Sequence, residues 1–420
     1  MHQTKNLSPN NSGKENAAAL QALCDNGGLI EITEPGVYDL DRTVFLSSNT
    51  ELVFGEGVTV RRVPAQDAGV ETNYVLLNRG ALTKTYDENI TVRGMRLCCN
   101  GLEADCFRPT VQGLIGHLSF FYVKHLKISD FQCTDLLAGS FCIQICTFFD
   151  AVVEDVVIAG KKDGVHFGPG DGFAVRRGKF CTFDDPIALN AHDYAISNPQ
   201  LGWIRNGVIE DCVDQNAEST VGFFVRLLAG SWGDWYEGMV IRNSDTVVSD
   251  GRMYRAAMHP DGKTFISHTR PTHTAGIVTL DGIDWAMVQD DNICYNCGCE
   301  NITIRNISLQ KKRDIAFCFL FDNDDWSHSY YPGSVLPVQR NITFQNITVE
   351  NDIILFMYSR TPMENVRFID CDLGTSQMEL CDLEGSELEY PVADITFQNV
   401  RCQKPKIFRF ISEKRPYEFK

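Results

Sequence analysis

The chain has 420 residues, of which 44% are hydrophobic and 22% charged, and its formal net charge is −17. This acidic balance predicts no nucleic-acid partner, because phosphates would be repelled. No apolar run is long enough for a transmembrane helix, which predicts no membrane partner. Length alone allows more than one globular domain, but no Pro- or Ser-rich linker divides the sequence.

The first predicted element is a helix. The Ala-rich stretch over residues 16–24 predicts a helix, and Gly27 and Gly28 after it are a stop signal. A strand and a Pro-Gly turn follow. We expect residues of about 12–36 to cap the fold, because the open end of a coiled sheet otherwise exposes apolar core and unpaired strand groups.

Short phrases that alternate apolar and polar residues recur along the rest of the chain. They include residues 89–97, 299–309 and 340–349, with a looser copy near Met239. The alternation is typical of half-buried strands, and an Asn or Asp often splits a phrase, as a bend residue with left-handed backbone should. Spacings from about 23 residues upward indicate a solenoid, since one unit cannot bury its apolar face alone. We therefore predict an all-β fold in a single domain over residues 1–420.

The repeat is hard to follow between residues 245–292. A stretch of this length without the strand pattern predicts a long loop excursion from one coil.

Cysteine is abundant, with 16 in the chain, and many fall at inward positions of the strand phrases. This favours buried, reduced thiols that act as small hydrophobes. Cys294, Cys297 and Cys299 lie close together in sequence, so a structural zinc there is an alternative. The thiols, together with an N-terminus that shows no secretion signal, predict a cytoplasmic protein, or a secreted one if a leader was removed.

Three acidic residues give the strongest indication of chemistry. Asp163 stands alone, and the pair Asp184 and Asp185 follows about one coil later, just before Pro186. Neighbouring strands lie about 4.8 Å apart, so winding would stack the acids side by side. Both members of the pair reach one cleft only if the strand bends there. Crowded carboxylates cannot all ionise at their usual pKa, which favours acid–base chemistry.

These acids also belong to a wider pattern. The Ala-rich helix, a Pro-Gly-Val-Tyr turn, Asn-Ile-Thr phrases and an Asp-Asp pair leading into Ile-Ala-Leu-Asn occur in this order. In this the chain resembles polygalacturonase-type glycoside hydrolases (family 28 and its relatives) of the pectin lyase-like superfamily. The resemblance implies a right-handed parallel β-helix with an N-terminal capping helix, and no cofactor or metal.

The resemblance also implies a reaction. Asp184 would protonate the leaving oxygen of an α-linked glycosidic bond, while Asp163 and Asp185 would hold and deprotonate the attacking water, in a single displacement with inversion. Repulsion from ionised neighbours predicts a raised pKa for Asp184. The substrate would be an oligo- or polysaccharide with galacturonide, galactoside or similar units.

Two motifs of the family have no clear copy here. No histidine stands in residues 201–207, where its Gly-His-Gly motif is expected on the next coil, and residues 240–243 are the nearest match to its Arg-Ile-Lys motif. The resemblance also extends to related β-helix α-galactosidases, which use clustered acids and need no basic pair to bind a uronate. A polysaccharide lyase or epimerase on the same fold, and a non-catalytic carbohydrate-binding β-helix, are the alternatives.

Several side chains near the acids in sequence are candidates for contact with a sugar. The histidines could also tune an acid, the arginine could bind hydroxyls or a uronate, and the tryptophans could stack on the C–H face of a sugar ring. Packing is the alternative role for each. The candidates for substrate binding are His166, His192, Arg226, Trp232 and Trp235, with Trp326 as a further aromatic.

Overall fold

The computed structural model describes residues 6–216, 220–259, 261–320, 334–351, 353–359, 361–382, 395–403 and 406–409. Within them, strands far apart in sequence pair in parallel, coil upon coil, and the chain is 51% strand and 4% helix. The predicted all-β, right-handed parallel β-helix is confirmed. No helix among these residues has the length and apolar character needed to cross a bilayer.

One helix, α1 (Gly13–Cys24), precedes the first coil. Its N-terminus is closed by a capping box in which the Ser12 side chain accepts from the Glu15 backbone and the Glu15 side chain accepts from the Ser12 backbone. Ala17, Leu20 and Cys24 are buried in the main core. The helix thus covers the N-terminal end of the solenoid and begins a little earlier than the sequence predicted.

The strands of the N-terminal coils are short and end at turns. They are β1 (Gly28–Ile32), β2 (Gly36–Leu40), β3 (Val44–Leu46), β4 (Thr50–Phe54), β5 (Val58–Arg62), β6 (Leu76–Asn78), β7 (Asp87–Arg93) and β8 (Arg96–Cys98). A 3-10 helix, Arg79–Leu82, follows β6.

The central coils hold the predicted acids. Their strands are β9 (Leu118–Leu136), β10 (Ile143–Gly160), β11 (Val165–Phe167), β12 (Gly170–Arg176), β13 (Lys179–Thr182), β14 (Ile187–Asn190), β15 (Ile204–Glu210), β16 (Val213–Asp214) and β17 (Val225–Leu228).

A unit inserted between two coils follows β17; we call residues 230–297 the inserted unit. Its strands are β18 (Gly230–Ser231), β19 (Gly233–Asp234), β20 (Met239–Ile241), β21 (Thr246–Ser249), β22 (Arg252–Ala256), β23 (Phe265–Ser267), β24 (Ile277–Leu280), β25 (Ile283–Gln289) and β26 (Asn296–Cys297).

The inserted unit is folded rather than a plain loop. Strands β21, β22, β25 and β24 pair antiparallel, and the unit has its own core around Trp235, Tyr254 and Trp285. β20 pairs antiparallel with β23, so the expected copy of the repeat near Met239 is wrong. The excursion also starts earlier than residue 245, because β18 already leaves the parallel ladder to pair with β26.

The solenoid then resumes in direct register. The remaining strands are β27 (Cys299–Leu309), β28 (Ile315–Leu320), β29 (Gln339–Val349), β30 (Leu355–Ser359), β31 (Met363–Ile369), β32 (Gln377–Asp382), β33 (Ile395–Gln398) and β34 (Lys406–Arg409).

Asparagines form a ladder at one corner of the coils. Asn301, Asn341 and Asn365 all have left-handed backbone, with φ of 59°, 54° and 51°. The Asn341 side chain donates to Asn301 at 3.0 Å, and the Asn365 side chain donates to Asn341 at 2.8 Å. The predicted role of these residues as bends is therefore confirmed, and their amides stabilise the stack.

The rungs that carry the site run through β11, β14 and β17. Val165, Ile187 and Val225 are in register and point into the main core. Because side chains alternate along a strand, the next position on each rung points outward, and this row contains His166, Ala188 and Arg226. The acids lie at the turns just before these strands.

Candidate active site

Asp163, Asp184 and Asp185, which we call the carboxylate trio, converge as the coil spacing predicts. One carboxylate oxygen of each lies within 4.8 Å of the others. The backbone ladder continues through the turn, because the Gly164 N–H donates to the Asp185 carbonyl at 2.9 Å and thereby aligns Asp163 with the coil below.

The bend required at the acid pair is present. The chain leaves strand geometry between β13 and β14, at residues 183–186. Gly222 on the next coil lies against this bend, and a Cβ there would come within 2.4 Å of the Asp184 backbone. The absence of a side chain at this position lets two coils approach closely, so both acids face the same side.

Two basic residues contact the trio. The Lys162 Nζ lies 2.5 Å from Asp184 and 3.8 Å from Asp163. The Arg226 Nε lies 2.9 Å from Asp185, whose other oxygen accepts from the Phe223 N–H at 2.7 Å. The trio could also surround a cation, but these side chains already supply countercharge, and we assign no metal to it.

The three carboxyl groups differ in protonation. Burial raises the pKa of Asp163 to about 7 and that of Asp185 to about 8, with a contribution from the other acids. Burial acts the same way on Asp184, but Lys162 and Arg226 outweigh it and lower its pKa. The raised pKa predicted for Asp184 is therefore wrong, because repulsion was the only influence visible in sequence.

Behind the trio lies a ring of buried polar groups. The His166 Nδ1 is 3.0 Å from Asp163, and its Nε2 is 3.6 Å from Asp193. The Arg226 Nη2 is 3.9 Å from Asp193. Burial lowers the pKa of His166 to about 3, so its imidazole is neutral. Four carboxyl groups, those of the trio and of Asp193, thus share the two cations Lys162 and Arg226.

This protonation pattern makes stability depend on pH. The Asp185 carboxyl keeps its proton in the folded chain up to about pH 8, but in the unfolded chain only to about pH 4. Its contribution is therefore full below about pH 4 and is lost as the pH rises toward about 8. We expect the urea midpoint of Asp185→Asn to fall less with rising pH than that of the wild type. A variant of the exposed Asp155, Asp155→Asn, should follow the wild type; equal slopes for all three proteins would contradict the assignment.

The next rung differs from the one expected from the family motif. Residues 201–207 lead into β15 on another side of the solenoid, whereas Phe223 lies beside Asp185. Residues 201–207 are therefore not the segment that follows the acids on the next coil, and the expectation of the Gly-His-Gly motif there is wrong. That segment contains Phe223, which lies next to the acids.

Arg313 braces the turn from the following coil. It is fully buried, and its Nε donates to Asp214 at 2.6 Å. Its two terminal nitrogens donate to the backbone carbonyls of Gly222, Thr182 and Asp184 at 2.9 to 3.4 Å. Arg313 could not be recognised from sequence, because no local pattern links residue 313 to the acid pair.

The structure does not bring His192, Trp232 and Trp235 to an open surface. His192 and Trp232 are each 1% exposed, and their rings lie 5.6 Å apart. The Trp232 indole donates to the Cys294 carbonyl at 2.7 Å. Trp235 belongs to the core of the inserted unit and donates to the Ser267 hydroxyl. The geometry shows the alternative role for these three residues, which is packing. Trp326 lies outside the described residues.

A different, exposed aromatic residue adjoins the acid pair in sequence. Phe183, directly before the acid pair, is 39% exposed. Its carbonyl accepts from the Val221 and Gly222 N–H groups at 2.9 and 3.1 Å, which fixes the backbone below the ring. Phe183 could have been found in sequence from its position next to Asp184.

Each cysteine whose side chain is described is a free thiol, which leaves out Cys381. Those of Cys294, Cys297 and Cys299 do not form a group of converging metal-ligand atoms within this part of the chain. The cytoplasmic location stays a prediction, with which unpaired thiols are compatible.

No family model matches the sequence, and no curated protein matches it either. Solved structures share its architecture. An endo-xylogalacturonan hydrolase from Aspergillus tubingensis is 11% identical and has a TM-score of 0.49, with 94% of this chain and 91% of that chain covered. PfbA, a surface adhesin of Streptococcus pneumoniae, is 14% identical with a TM-score of 0.48, and the coverage is 96% and 90%.

A family 28 exopolygalacturonase of Yersinia enterocolitica is also similar, at 14% identity and a TM-score of 0.44, with 94% of this chain and 74% of that chain covered. The similarity to family 28 proteins expected from the sequence is thus found in architecture. Hydrolases and an adhesin both occur among these neighbours, so the choice of activity depends on the site itself.

Proposed function

We propose that the protein is a glycoside hydrolase that cleaves an α-linked bond with the carboxylate trio. The observation that carries this proposal is the convergence of three carboxyl groups in unlike surroundings: Asp184 is partly exposed and paired with Lys162, whereas Asp163 and Asp185 are fully buried. Burial raises the pKa of Asp163 and Asp185, while Lys162 and Arg226 outweigh burial and lower that of Asp184. Environments that push the pKa values of neighbouring acids apart are typical of acid–base pairs.

The exposure of the three acids assigns their roles. Asp184 has 21% of its side chain exposed, whereas Asp163 and Asp185 are fully buried. Asp184 is therefore the group that meets the glycosidic oxygen. A hydrogen bond with Asp163 helps to lower the pKa of Asp184, and along it a proton can pass from Asp163 through Asp184 to the leaving oxygen. The attacking water then returns a proton to the trio.

The exposed surface beside Asp184 favours a sugar. Phe183 offers an open ring for the C–H face of a pyranose, and Lys162 and Arg226 offer donors to hydroxyl or carboxylate oxygens. A galacturonide uses these donors more fully than a galactoside does. We therefore propose an oligo- or polysaccharide substrate, with uronate units preferred.

Spacing and family resemblance differ on the stereochemistry. The nearest oxygens of the trio all lie within 4.8 Å of one another, which is below the roughly 6.5–9.5 Å between the two carboxyl groups of inverting enzymes and leaves little room for a water between them. The resemblance implies inversion. Proton NMR of the first sugar released decides between them, since a retained anomer would make Asp184 a nucleophile.

The test of the proposed function is a panel of α-linked galacturonides, galactosides and rhamnosides. Hydrolysis releases a new reducing end without ultraviolet absorbance, whereas a lyase produces an absorbing unsaturated product. We expect the former from the wild type. An absorbing product, or an unchanged panel, would contradict the proposal.

A non-catalytic carbohydrate-binding β-helix is the second candidate, and one observation favours it. Lys162 covers Asp184 at 2.5 Å, and the other two acids have no exposed surface. A site that only binds a carbohydrate would need no more than the charged side chains of Lys162 and Asp184 held in place. Sugar binding by calorimetry without any turnover would support this candidate over the first.

Replacing Lys162 should move the pH profile of hydrolysis. Activity is expected to fall as the pH rises through about 7 to 8, where the trio loses its protons. Lys162 lowers the pKa of both Asp163 and Asp184, so Lys162→Met should move this limb to higher pH by about one unit or more. Lys179→Met, at an exposed lysine on the same coil, is the matched control. An unmoved limb would remove Lys162 from the proton pathway.

A further inference from the structure

Thiols from successive coils meet inside the N-terminal half of the solenoid. Cys99 follows β8, Cys133 lies on β9, and Cys142 immediately precedes β10. All three are fully buried, and the Sγ atoms of Cys99 and Cys133 are 3.5 Å apart. Cys142 forms a thiol hydrogen bond with Cys133. The three side chains therefore form one continuous cluster across the coils.

A carboxylate lies at the edge of this cluster. Asp135 Oδ1 lies 3.8 Å from the Cys133 Sγ and accepts from the Cys99 N–H at 3.0 Å. Its Oδ2 accepts from the Asn100 N–H and from the Cys98 thiol. The register of β9 against β10 shifts here, which places Asp135 beside the thiols rather than in the ladder. One ligand atom each of Cys99, Cys133 and Asp135 lies within 4.8 Å of the others.

Packing alone does not account for this arrangement. The Asp135 carboxylate accepts hydrogen bonds from the N–H groups of Cys99 and Asn100, which hold it against the thiols. Arg62 is the cation near these thiols, and its guanidinium donates to the carbonyls of Leu102 and Thr72. A carboxyl group thus lies against buried thiols, where apolar packing alone would place none.

We propose that Cys99, Cys133 and Asp135 bind a zinc-type divalent ion. Tetrahedral zinc at about 2.3 Å from sulfur places two sulfurs about 3.8 Å apart, so the observed 3.5 Å requires almost no movement of the coils. Thiolates with a carboxylate suit zinc better than calcium or magnesium, which prefer oxygen ligands. These three residues supply three ligands, and Cys142, which bonds to Cys133, is the fourth ligand after a local shift of its side chain. The site is structural: it ties successive coils together without taking part in hydrolysis.

The experiment measures metal content and does not depend on activity. The full chain, purified under reducing conditions without a polyhistidine tag, should contain about one zinc per chain by mass spectrometry of the metal. Addition of Co²⁺ after chelation should give the thiolate-to-cobalt charge-transfer band and the visible bands of a tetrahedral site. Both signals should fall at least about tenfold in Cys133→Ser and in Asp135→Asn.

Cys212→Ser is the matched control, because Cys212 is equally buried but bonds only to backbone carbonyls. It should retain the metal and the cobalt spectrum. Asp135→Asn keeps the test valid if the loss of a buried thiol prevents folding. A wild-type chain free of metal that gives no cobalt bands would overturn the proposal, as would a Cys99–Cys133 disulfide in the reduced preparation.

Discussion

Asp184→Asn is expected to reduce kcat by roughly a hundred- to ten-thousand-fold, the range that positioned proton transfer contributes. Asn keeps the shape of the side chain and a partner for Lys162, but it can neither take up nor release the proton. The fold should be unaffected, because the side chain lies at the surface of the trio, 21% exposed. Steady-state kinetics on the best substrate of the panel, with circular dichroism as a check of folding, measures this.

The control for this variant is Asp155→Asn. Asp155 is an exposed acid with left-handed backbone at a bend of β10, where Asn is equally well tolerated, and it pairs only with surface groups. It should retain full activity. A folded Asp184→Asn variant that turns over substrate at the wild-type rate would exclude Asp184 as the proton-transferring group and with it the proposed mechanism.

Arg313→Ala should reduce the free energy of unfolding by about 3–5 kcal/mol, because it leaves Asp214 buried and without its countercharge. The pair is shielded from solvent, with 0% of Arg313 and 1% of Asp214 exposed. The loss also frees the carbonyls of Gly222 and Asp184, so residual activity should fall as well. Urea denaturation followed by circular dichroism measures the first effect.

Two further variants separate charge from geometry at this position. Arg177→Ala removes an exposed guanidinium paired with Asp155 and should leave the urea midpoint close to that of the wild type. Arg313→Lys keeps the charge beside Asp214 but cannot reach all the carbonyls at once. Arg313→Lys should therefore lower kcat, while its free energy of unfolding should stay closer to the wild-type value than that of Arg313→Ala. Equal stability of Arg313→Ala and Arg177→Ala would show that the buried pair does not hold the turn.

Sequence patterns were sufficient for the architecture and for the convergence of the acids. Both follow from local periodicity: alternation sets the strands, and Asn301 or Asn341 marks the corners where the backbone turns left-handed. Coil spacing then places Asp163 over Asp185 with no further information. These features repeat on every coil, so single irregularities do not hide them.

What the sequence could not predict depends on contacts between distant segments. The pKa of Asp184 is set by Lys162 and Arg226, and although Lys162 adjoins Asp163 in sequence, only winding brings it to Asp184. Trp232 and Trp235 looked like binding residues because the antiparallel pairing of the inserted unit has no signature in the repeat. The cluster of buried thiols was also missed, because its cysteines come from separate coils.

The inserted unit has a consequence for how the chain folds. Ordinary contacts between neighbouring rungs at the site join residues 22 apart, as for Lys162 and Asp184, whereas Arg205 meets Glu300 across 95 residues. Closing the longer loop costs about 1 kcal/mol more in chain entropy. When Gly230 pairs with Cys297, the loop that remains to be closed between Arg205 and Glu300 becomes shorter. Folding kinetics should therefore have two phases, and mutations in the β18–β26 clamp should slow only the assembly of the C-terminal coils.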